Sequence, residues 1–554
     1  MTDDHASRRT AGECWRNSLI HLESGTLAMA TIVNEIAPTM PNSRSETSLS
    51  DATATKIFWW LACLHCAIWS LVPSITQPNG SIDVIEMLYW GHEWQAGYYK
   101  HPPLPGWLAE ASVMLCGRAI WPTYLLSQLC TLACFWSAFS VAKECVGRRG
   151  ALLSVLLLEA CYYYNYTTTD FNNNVASRAF WALTIAFLYR GLVQRQLWGW
   201  AAAGATLGLG MLAKYDTGVL AVTMGLFSIV HPLGRAAWKT RGPWLTLGIS
   251  LTIFAPHLLW LVQNDFPTVT YFLQRSSSEK GWLDHLRYPL GFVAAQMGAF
   301  LPVCLLAWPL MGRVWQRRAV TNDLERYNRD FVLAFAFVPV LLIVVVGLVA
   351  GVRIRSMWGT ALWSYLGVAL VVLFQVRQDA AAIRREIKLA ASFCLAAIGA
   401  LLFHDLAMPS VMGKHARVHF PGRELAQQVD QAFRTVTGSS PEIVGGPWWT
   451  AANVAFYMDR RATVYANMNP QISPWTSDAE LARSGGVIVW PSELRDSDWE
   501  SELYRRFPDL IEAAPVRVAP QTHGLSEALE FRIAIVPPAR IFGAGTYLTS
   551  QIRE

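Results

Sequence analysis

Long apolar runs separated by short polar segments dominate the chain from residue 57 to residue 405. A helix that crosses a bilayer needs roughly 20 mainly apolar residues, and eleven segments approach that length. These segments are 57–75, 119–142, 150–168, 175–193, 197–213, 217–231, 244–262, 289–311, 331–350, 357–375 and 389–405. The pattern predicts a polytopic α-helical membrane protein with about eleven transmembrane helices.

The two ends of the chain have a different pattern. Residues 1–55 are polar and rich in Ser, Thr, Asp and Arg, which predicts a flexible cytoplasmic tail. Residues 406–554 alternate short strand-like runs with helical patterns, an arrangement typical of a small α/β domain. The predicted organisation is therefore a tail at 1–55, a transmembrane domain at 56–405 and an α/β domain at 406–554.

Basic residues distinguish the two sets of loops between the predicted spans. The loops after spans two, four, six, eight and ten carry more Lys and Arg than the loops on the opposite side. Because cytoplasmic loops carry such an excess, these loops are predicted to be cytoplasmic. An odd number of spans then places the N-terminus inside, and it places loop 76–118 and the α/β domain outside.

The composition agrees with a membrane protein. The 554 residues are 53% hydrophobic and only 15% charged, whereas soluble domains carry about 25% charged residues. These values exclude an ordinary soluble protein. The net charge of +5 is small for this length and argues against a nucleic-acid partner.

The first external loop, residues 76–118, is the most informative part of the sequence. It is far longer than the roughly 2–8 residues that suffice to connect two packed helices, and oversized loops are often functional. Asp83 and Glu86 are three residues apart, so on a helix they share a face. The apolar side of this amphipathic helix is predicted to lie on the membrane surface. It consists of Met87, Leu88, Trp90 and Trp94.

A pair of cationic residue types follows in the same loop. Lys100 and His101 precede Pro102 and Pro103, and the double proline favours an extended backbone at His101. Each feature has a structural alternative, because carboxylates often form the solvated face of a surface helix and Lys-His-Pro-Pro is also a rigid turn. Their combination with aromatic residues in one external loop favours a functional site.

The segment around these residues resembles the first periplasmic loop of GT-C glycosyltransferases. The resemblance extends from Asp83 to Trp107 and includes the run GYYKHPPL at 97–104. Further segments that resemble the same family are LAKY at 212–215, PHLLWLVQNDFPT at 256–268 and WWTAANVAFY at 448–457. Similarity is greatest to the family 39/83-like enzymes, which include lipopolysaccharide galacturonosyltransferases, the aminoarabinose transferase of lipid A and protein O-mannosyltransferases.

The resemblance implies a function and a location. It implies a multi-pass enzyme of the bacterial inner membrane that takes a sugar from a polyprenyl-phosphate donor. The acceptor that it implies is a lipid or lipopolysaccharide, another glycan or a protein, with transfer on the periplasmic face among membrane lipids.

The resemblance also implies roles for single residues. Displacement at the anomeric carbon needs a base for the acceptor hydroxyl and positive charge for the leaving phosphate, with inversion as the expected outcome. Asp83 matches the family's acidic residue with the role of base, and Glu86 is expected to orient the acceptor, assist Asp83 or hold a metal. The candidates for binding the donor phosphate are Lys100, His101, Lys214, Arg275, Arg353 and Arg355.

Some of these assignments have alternatives. Asp170, at the outer end of the third span, resembles the family's second external carboxylate and is a catalytic candidate, with helix capping as the alternative. Arg353 and Arg355 are also placed to reach lipid headgroups. Several relatives have Lys directly before the first proline, where this chain has His101, so the choice between Lys100 and His101 stays open.

Three further points concern cofactors, the tail and the function class. No cofactor is indicated, although Asp83 and Glu86 are suitable ligands for a hard divalent cation. Trp448 and Trp449 are interpreted as core residues of the tail domain, with stacking on a sugar as the alternative. A secondary transporter or a flippase for a lipid-linked substrate is the alternative function, because it also requires many helices.

Overall fold

The structure, a computed structural model, describes residues 49–277, 281–311, 315–413, 415–522 and 527–538. Most of the predicted tail at 1–55 lies outside these residues. The chain from Leu49 onward forms one compact unit. It consists of a large helical part followed by a smaller part that contains a β-sheet.

The helical part contains fifteen described α-helices, which we number in chain order. They are α1 (Asp51–Thr76), α2 (Ile82–His92), α3 (Leu104–Cys116), α4 (Trp121–Glu159), α5 (Asn173–Leu192), α6 (Leu197–Ala213), α7 (Thr217–Val230), α8 (Pro232–Ala237), α9 (Gly242–Gln263), α10 (Pro267–Ser276), α11 (Asp284–Met311), α12 (Asp323–Ala350), α13 (Leu366–Leu373), α14 (Ala380–Leu402) and α15 (Met408–Met412).

Six helices within the described residues are long and apolar enough to cross a membrane. They are Asp51–Thr76, Trp121–Glu159, Gly242–Gln263, Gly281–Met311, Asp323–Ala350 and Ala380–Met412. Shorter apolar helices are α3, α6 and α7. The prediction of a multi-pass, mainly helical membrane protein is therefore confirmed, with six rather than eleven described helices of bilayer length.

Two of the predicted spans are not single long helices. Segment 150–168 is helical only to the end of α4 at Glu159 and continues as two short 3₁₀ turns. Segment 357–375 contains a 3₁₀ turn at Ser356–Gly359 and the short helix α13, in which residues 366–372 are buried. Hydropathy does not distinguish residues buried inside the protein from residues in lipid, so an apolar run predicts burial better than it predicts a span.

The smaller part contains the α/β elements that the sequence predicts. Its helices are α16 (Gly422–Thr437), α17 (Trp448–Tyr457), α18 (Asp478–Ser484) and α19 (Asp498–Arg506). Its strands are β1 (Ile443–Gly446), β2 (Thr463–Ala466), β3 (Gly486–Pro491), β4 (Ile511–Glu512), β5 (Val516–Val518) and β6 (Leu529–Val536). The strand order is β2-β1-β3-β6-β4, with β5 also paired to β6. Strand β1 pairs in parallel with β2 and β3, whereas β6 is antiparallel to β3.

Residues 76–118, which the sequence predicts to be the first external loop, contain a helical hairpin of α2 and α3. Gly91 of α2 meets Gly106 of α3 so closely that a Cβ on Gly91 would lie 2.1 Å from the carbonyl oxygen of Gly106. The apolar residues Met87, Leu88 and Trp90 are buried in one cluster with α17 and the sheet. The prediction that they lie on the membrane surface is therefore wrong, because the α/β part covers them; Trp94, beyond the helix, is exposed.

The start of this loop is fixed against the end of the last long helix. The buried carboxylate of Asp405 accepts hydrogen bonds from Thr76 Oγ1 at 3.0 Å and from Gln77 Nε2 at 2.9 Å. His419 Nε2 donates to the backbone oxygen of Asp405 at 2.8 Å. Because a buried carboxylate is stable only with such partners, these contacts hold the loop, α14 and the α/β part together.

Candidate active site

Asp83 and Glu86 lie on the first helix of the external loop. The side chain of Ser81 caps α2 by accepting a hydrogen bond from the backbone N–H of Val84, which fixes the first turn. The acidic Asp83 in that turn is also favoured by the helix dipole. The predicted spacing therefore places both carboxylates on one side of a rigid helix.

Glu86 and Lys100 form an ion pair. Glu86 is 7% exposed and accepts a hydrogen bond from Lys100 Nζ at 2.5 Å. Burial raises the pKa of Glu86 to about 7, although the charge of Lys100 opposes that rise. Burial alone lowers the pKa of Lys100, but Glu86 and Tyr99 keep it above its usual value. At neutral pH Lys100 is therefore charged.

Asp83 and Asp170 lie near each other at the outer end of α5. Asp83 accepts a hydrogen bond from Asn172 Nδ2 at 3.0 Å, and Asp170 accepts one from Ser81 Oγ. Burial raises the pKa of Asp83, while Asn172 and nearby cations oppose the rise. Burial and the charge of Asp83 raise the pKa of Asp170 well above its usual value. Burial and a neighbouring carboxylate both disfavour the charged form of an acid, which is why the pKa of Asp170 rises.

Asp170 does not cap the helix that follows it. The side-chain oxygen of Asn172 accepts hydrogen bonds from the backbone N–H groups of Asn174 and Val175, at 2.9 and 3.2 Å. The cap of α5 is thus Asn172, which also donates to Asp83. Asn172 consequently orients the candidate base and holds the start of the helix at the same time.

Four aromatic rings surround the amino group of Lys100. Their centroids lie 5.2–6.0 Å from Nζ, which is within the range of cation–π attraction. The rings belong to Trp90, Tyr99, Tyr271 and Trp448. Three separate regions of the chain, the first loop, α10 and α17, therefore meet at this lysine.

Trp448 and Trp449 differ in their positions. Trp449 is buried and packs against Phe420 in the core, as the sequence interpretation has it. Trp448 is only half-buried, and its ring lies 5.4 Å from Lys100 Nζ. Trp448 is therefore not a core residue of the tail domain; it lies at the candidate site.

His101 is a neutral member of the cluster. Its ring contacts Trp90 and Tyr271 at centroid distances of 6.2 and 6.4 Å. Burial, together with the charges of Lys214, Lys100 and Arg275, lowers its pKa to about 3. Near neutral pH, His101 therefore offers hydrogen bonding rather than positive charge.

The remaining cations approach from other external segments. Lys214 Nζ pairs with Asp216 at 2.8 Å and lies 5.9 Å from the ring of Trp358. The guanidinium of Arg275 lies 5.7 Å from the ring of Tyr271, which in turn contacts Tyr99 and His101.

Arg353 and Arg355 lie beside Arg275. The backbone N–H of Arg353 donates to the oxygen of Ser276 at 3.2 Å, directly after Arg275 in the chain. Burial and the charges of Arg275 and Arg353 lower the pKa of Arg355. None of the three arginines is ion-paired with another described residue. They are therefore available to an anionic ligand.

A buried ion pair connects the α/β part to the external hairpin. Arg461, between α17 and β2, donates to the carboxylate of Glu110 on α3 and to the backbone oxygen of Leu88 at 2.6 Å. The side chains of Arg461 and Glu110 are only 10% and 5% exposed. His92 lies 3.5 Å from the other oxygen of Glu110.

Sequence reasoning found the charged residues of this site and missed their partners. Asp216 follows Lys214 by two residues and was detectable as a local partner. Tyr271 lies on α10, and nothing in the local pattern links it to Lys100. Among the described residues, no group of three or more His, Cys, Asp and Glu side chains is suited to a metal ion, and we assign no metal ligand.

A pH dependence follows from the lowered pKa of the half-buried His101. An exposed histidine ionises near 6.5, whereas the pKa of His101 is lowered to about 3. Between these values the unfolded chain binds a proton that the folded chain does not, so folding stability decreases as the pH falls. His101→Gln is expected to flatten this decrease in thermal unfolding of the purified protein in detergent. Identical pH profiles of variant and wild type would contradict the neutral state of His101.

The chain is similar in sequence to known enzymes. Residues 100–260 match the family described as dolichyl-phosphate-mannose-protein mannosyltransferase. The lipid A galacturonosyltransferase RgtD of Rhizobium johnstonii is 28% identical over 295 residues, which are 51% of this chain and 59% of that protein. The lipopolysaccharide core galacturonosyltransferase RgtB of the same organism is 24% identical over 380 residues, 65% of this chain and 75% of that protein.

The fold also has a counterpart among solved structures. The crystal structure of ArnT from Cupriavidus metallidurans bound to undecaprenyl phosphate matches with a TM-score of 0.54 and 15% identity. The match covers 87% of this chain and 98% of that chain. The two proteins therefore share a fold over most of their length.

Proposed function

We propose that the chain, a membrane glycosyltransferase with the GT-C fold, transfers a sugar from a polyprenyl-phosphate donor to lipopolysaccharide. The two galacturonosyltransferases to which it is similar act on lipid A and on the lipopolysaccharide core, and the structure that shares its fold binds undecaprenyl phosphate. Galacturonic acid is the sugar that we propose, and lipid A or its core is the acceptor.

The observation that carries the proposal is the meeting of carboxylates and cations in one external cluster. Asp83 lies on the first-loop helix, and the charges of both Lys100 and Arg275 act on its carboxylate. A carboxylate next to cations is what transfer from a phosphate requires, namely a proton acceptor and a site for a developing anion.

In the proposed reaction, Asp83 accepts the proton of the acceptor hydroxyl as its oxygen bonds to the anomeric carbon of the donor sugar. The bond between that carbon and the phosphate oxygen breaks, and the electron pair leaves with the polyprenyl phosphate. Attack and departure on opposite faces invert the anomeric configuration. The phosphate gains one negative charge, which the neighbouring cations stabilise.

The roles of Glu86 and Lys100 follow from their ion pair. Glu86 holds Lys100 among four rings, which favours a positioning role for Glu86 and leaves Asp83 as the base. Of the two alternatives at this turn, we propose that Lys100 meets the donor phosphate, because His101 is neutral. We propose that Asp170, whose carboxylate lies near Asp83, assists Asp83 during proton transfer.

The number of cations supports an anionic sugar. Arg275, Arg353 and Arg355 lie together without an ion-pair partner among the described residues, while Lys100 and Lys214 are already paired. A donor with one phosphate and a carboxylate on its sugar carries two anionic groups. We assign the phosphate to Lys100 and Lys214 and the sugar carboxylate to the arginines, which bind such groups through two parallel hydrogen bonds.

A lipid-linked donor also explains the membrane setting. Each buried CH₂ contributes about 0.8 kcal/mol to membrane binding, so the prenyl chain stays in the bilayer and its phosphate stays at the surface. We propose a multi-pass protein of the bacterial inner membrane with a cytoplasmic N-terminus and a periplasmic α/β domain at 406–554. This topology places the first loop and the three arginines on the periplasmic face.

Mass spectrometry of envelope glycolipids tests this function. Cells that lack the protein are expected to lose the mass of one hexuronic acid residue from lipid A or the core, and the wild-type gene is expected to restore it. The Asp83→Asn gene is the matched control, because it supplies the protein without the proposed base. Unchanged glycolipids in cells lacking the protein would contradict the proposed acceptor and sugar.

A further inference from the structure

A cavity lies in the α/β part, and the residues that line it differ from those of the cation cluster. Its volume is about 480 Å³, which falls in the range of small-ligand sites. The side chains that give it chemical character come from the turn after β2 and from α18 and α19. They are Asn467, Asn469, Asp478, Trp499, Glu502 and Arg506.

The charged groups of this cavity are paired with each other. Arg506 Nε donates to Asp478 Oδ2 at 3.0 Å, and Tyr465 donates to the other oxygen of Asp478 at 2.8 Å. Glu502 pairs with Arg505 on the same helix. Because each carboxylate has a guanidinium partner, the cavity offers hydrogen-bond donors and acceptors without an excess of either charge. Such a surface suits a neutral ligand with many hydroxyl groups.

An aromatic residue completes the lining. Trp499 is half-buried and packs against Trp490 with ring centroids 5.7 Å apart, so the orientation of its ring is fixed. An indole provides a broad apolar face with little loss of side-chain entropy. A sugar ring has apolar C–H faces and hydroxyl groups at its edge. The indole face of Trp499 can pack on the C–H face of a sugar, and the neighbouring carboxylate and guanidinium groups can bind its hydroxyls.

The turn that forms one wall has an unusual backbone. Asn467 and Met468 both have a φ of 54°, in the left-handed region that residues other than glycine seldom occupy. The side chain of Met468 is buried, and its sulfur packs so closely on Gly445 that a Cβ there would lie 2.4 Å from it. Two consecutive residues in this region are costly and persist only where surrounding contacts impose them, as at binding sites.

The same turn connects the cavity to the candidate active site. The side-chain oxygen of Asn467 accepts a hydrogen bond from the backbone N–H of Trp448 at 2.9 Å, and the ring of Trp448 lies 5.4 Å from Lys100 Nζ. Asn467, in one wall of the cavity, is therefore hydrogen-bonded to the residue whose ring packs on Lys100.

We propose that this cavity binds a neutral hexose of the acceptor's core oligosaccharide, with the sugar ring against Trp499 and its hydroxyls on Asp478, Arg506 and Glu502. This inference rests on the proposed function, since it names a second contact for the same acceptor. The cavity acts as a glycan subsite that selects acceptors carrying core sugars and takes no part in the chemical step.

Binding of a lipid-free probe tests the subsite directly. The probe is core oligosaccharide released from lipopolysaccharide by mild acid, titrated into the purified full-length protein in detergent. Trp499→Ala is expected to weaken binding at least about fivefold, which corresponds to about 1 kcal/mol for a residue that contributes to recognition. Trp499→Phe is expected to retain most of the affinity. Glu502→Ala, on the surface of α19, is expected to weaken binding without loss of folding.

The matched control is Ser501→Ala, an exposed position on the same helix, which is expected to bind like the wild type. In transfer assays, Trp499→Ala is expected to raise KM for acceptors with core sugars and to leave KM for lipid A without core sugars, and kcat, unchanged. Equal binding by wild type, Trp499→Ala and Glu502→Ala would overturn the subsite.

The two proposals fail in distinguishable ways. Transfer to lipopolysaccharide by a wild-type protein that does not bind the oligosaccharide would overturn the subsite alone. A wild-type protein that binds the oligosaccharide but transfers sugar to neither lipid A nor complete lipopolysaccharide would overturn the proposed function, and with it the role of the cavity in acceptor choice.

Discussion

Asp83→Asn is expected to reduce the rate of sugar transfer at least about 100-fold, the usual contribution of a positioned base. The substitution keeps the size of the side chain, and the amide oxygen still accepts the hydrogen bond from Asn172 Nδ2 that Asp83 accepts at 3.0 Å. Folding and membrane insertion are therefore expected to be unchanged. The measurement is kcat with purified protein in detergent or vesicles, with a polyprenyl-phosphate sugar as donor.

A matched control for this variant is Asp265→Asn. Asp265 is an exposed external residue with a φ of 58°, a conformation that asparagine tolerates well. This variant is expected to transfer sugar at the wild-type rate. Full activity of Asp83→Asn would remove Asp83 as the base and direct attention to the neighbouring carboxylate of Asp170.

Lys100→Met is expected to weaken both donor binding and folding. The variant leaves Glu86 buried without the partner that lies 2.5 Å away, and breaking a buried ion pair costs up to about 3–5 kcal/mol. Protonation of Glu86, whose pKa is already about 7, relieves part of this cost. The loss of stability is therefore expected to grow as the pH rises above neutrality, as measured by thermal unfolding in detergent.

The double variant Glu86→Gln/Lys100→Met separates the two effects. Removal of the unpaired carboxylate is expected to restore most of the stability, because no buried charge remains. Donor affinity, measured by titration with polyprenyl phosphate, is expected to stay low because the cation is still missing. Recovery of donor affinity in the double variant would show that Lys100 acts only as the partner of Glu86.

Local patterns predicted the helical elements of this protein well. The apolar runs identify the long helices, and the spacing of Asp83 and Glu86 predicts the helix on which they lie. The double proline predicts an extended backbone at His101, and the structure has a bend there, outside any helix. These features depend on residues that are neighbours in the chain, so the sequence contains the necessary information.

Contacts between distant segments could not be predicted in the same way. Tyr271 and Trp448 contact Lys100 although they lie 171 and 348 residues later in the chain. Nothing in their local sequence indicates these contacts. The wrong prediction for the apolar side of α2 has a related cause. An amphipathic helix has the same sequence pattern whether its apolar side contacts lipid or another part of the protein. The neutral state of His101 likewise depends on its burial in the folded chain and on Lys214 and Arg275, which come from distant segments.

The ion pair of Arg461 and Glu110 restricts how the substrates arrive. Lifting the sheet away from the hairpin would separate two side chains that are 10% and 5% exposed, at the cost of a broken buried pair. Helix α10, in contrast, buries only Thr268 and Ser276, so its displacement disturbs far fewer contacts. A ligand that enters the site is therefore expected to displace α10, while the sheet stays fixed against the hairpin.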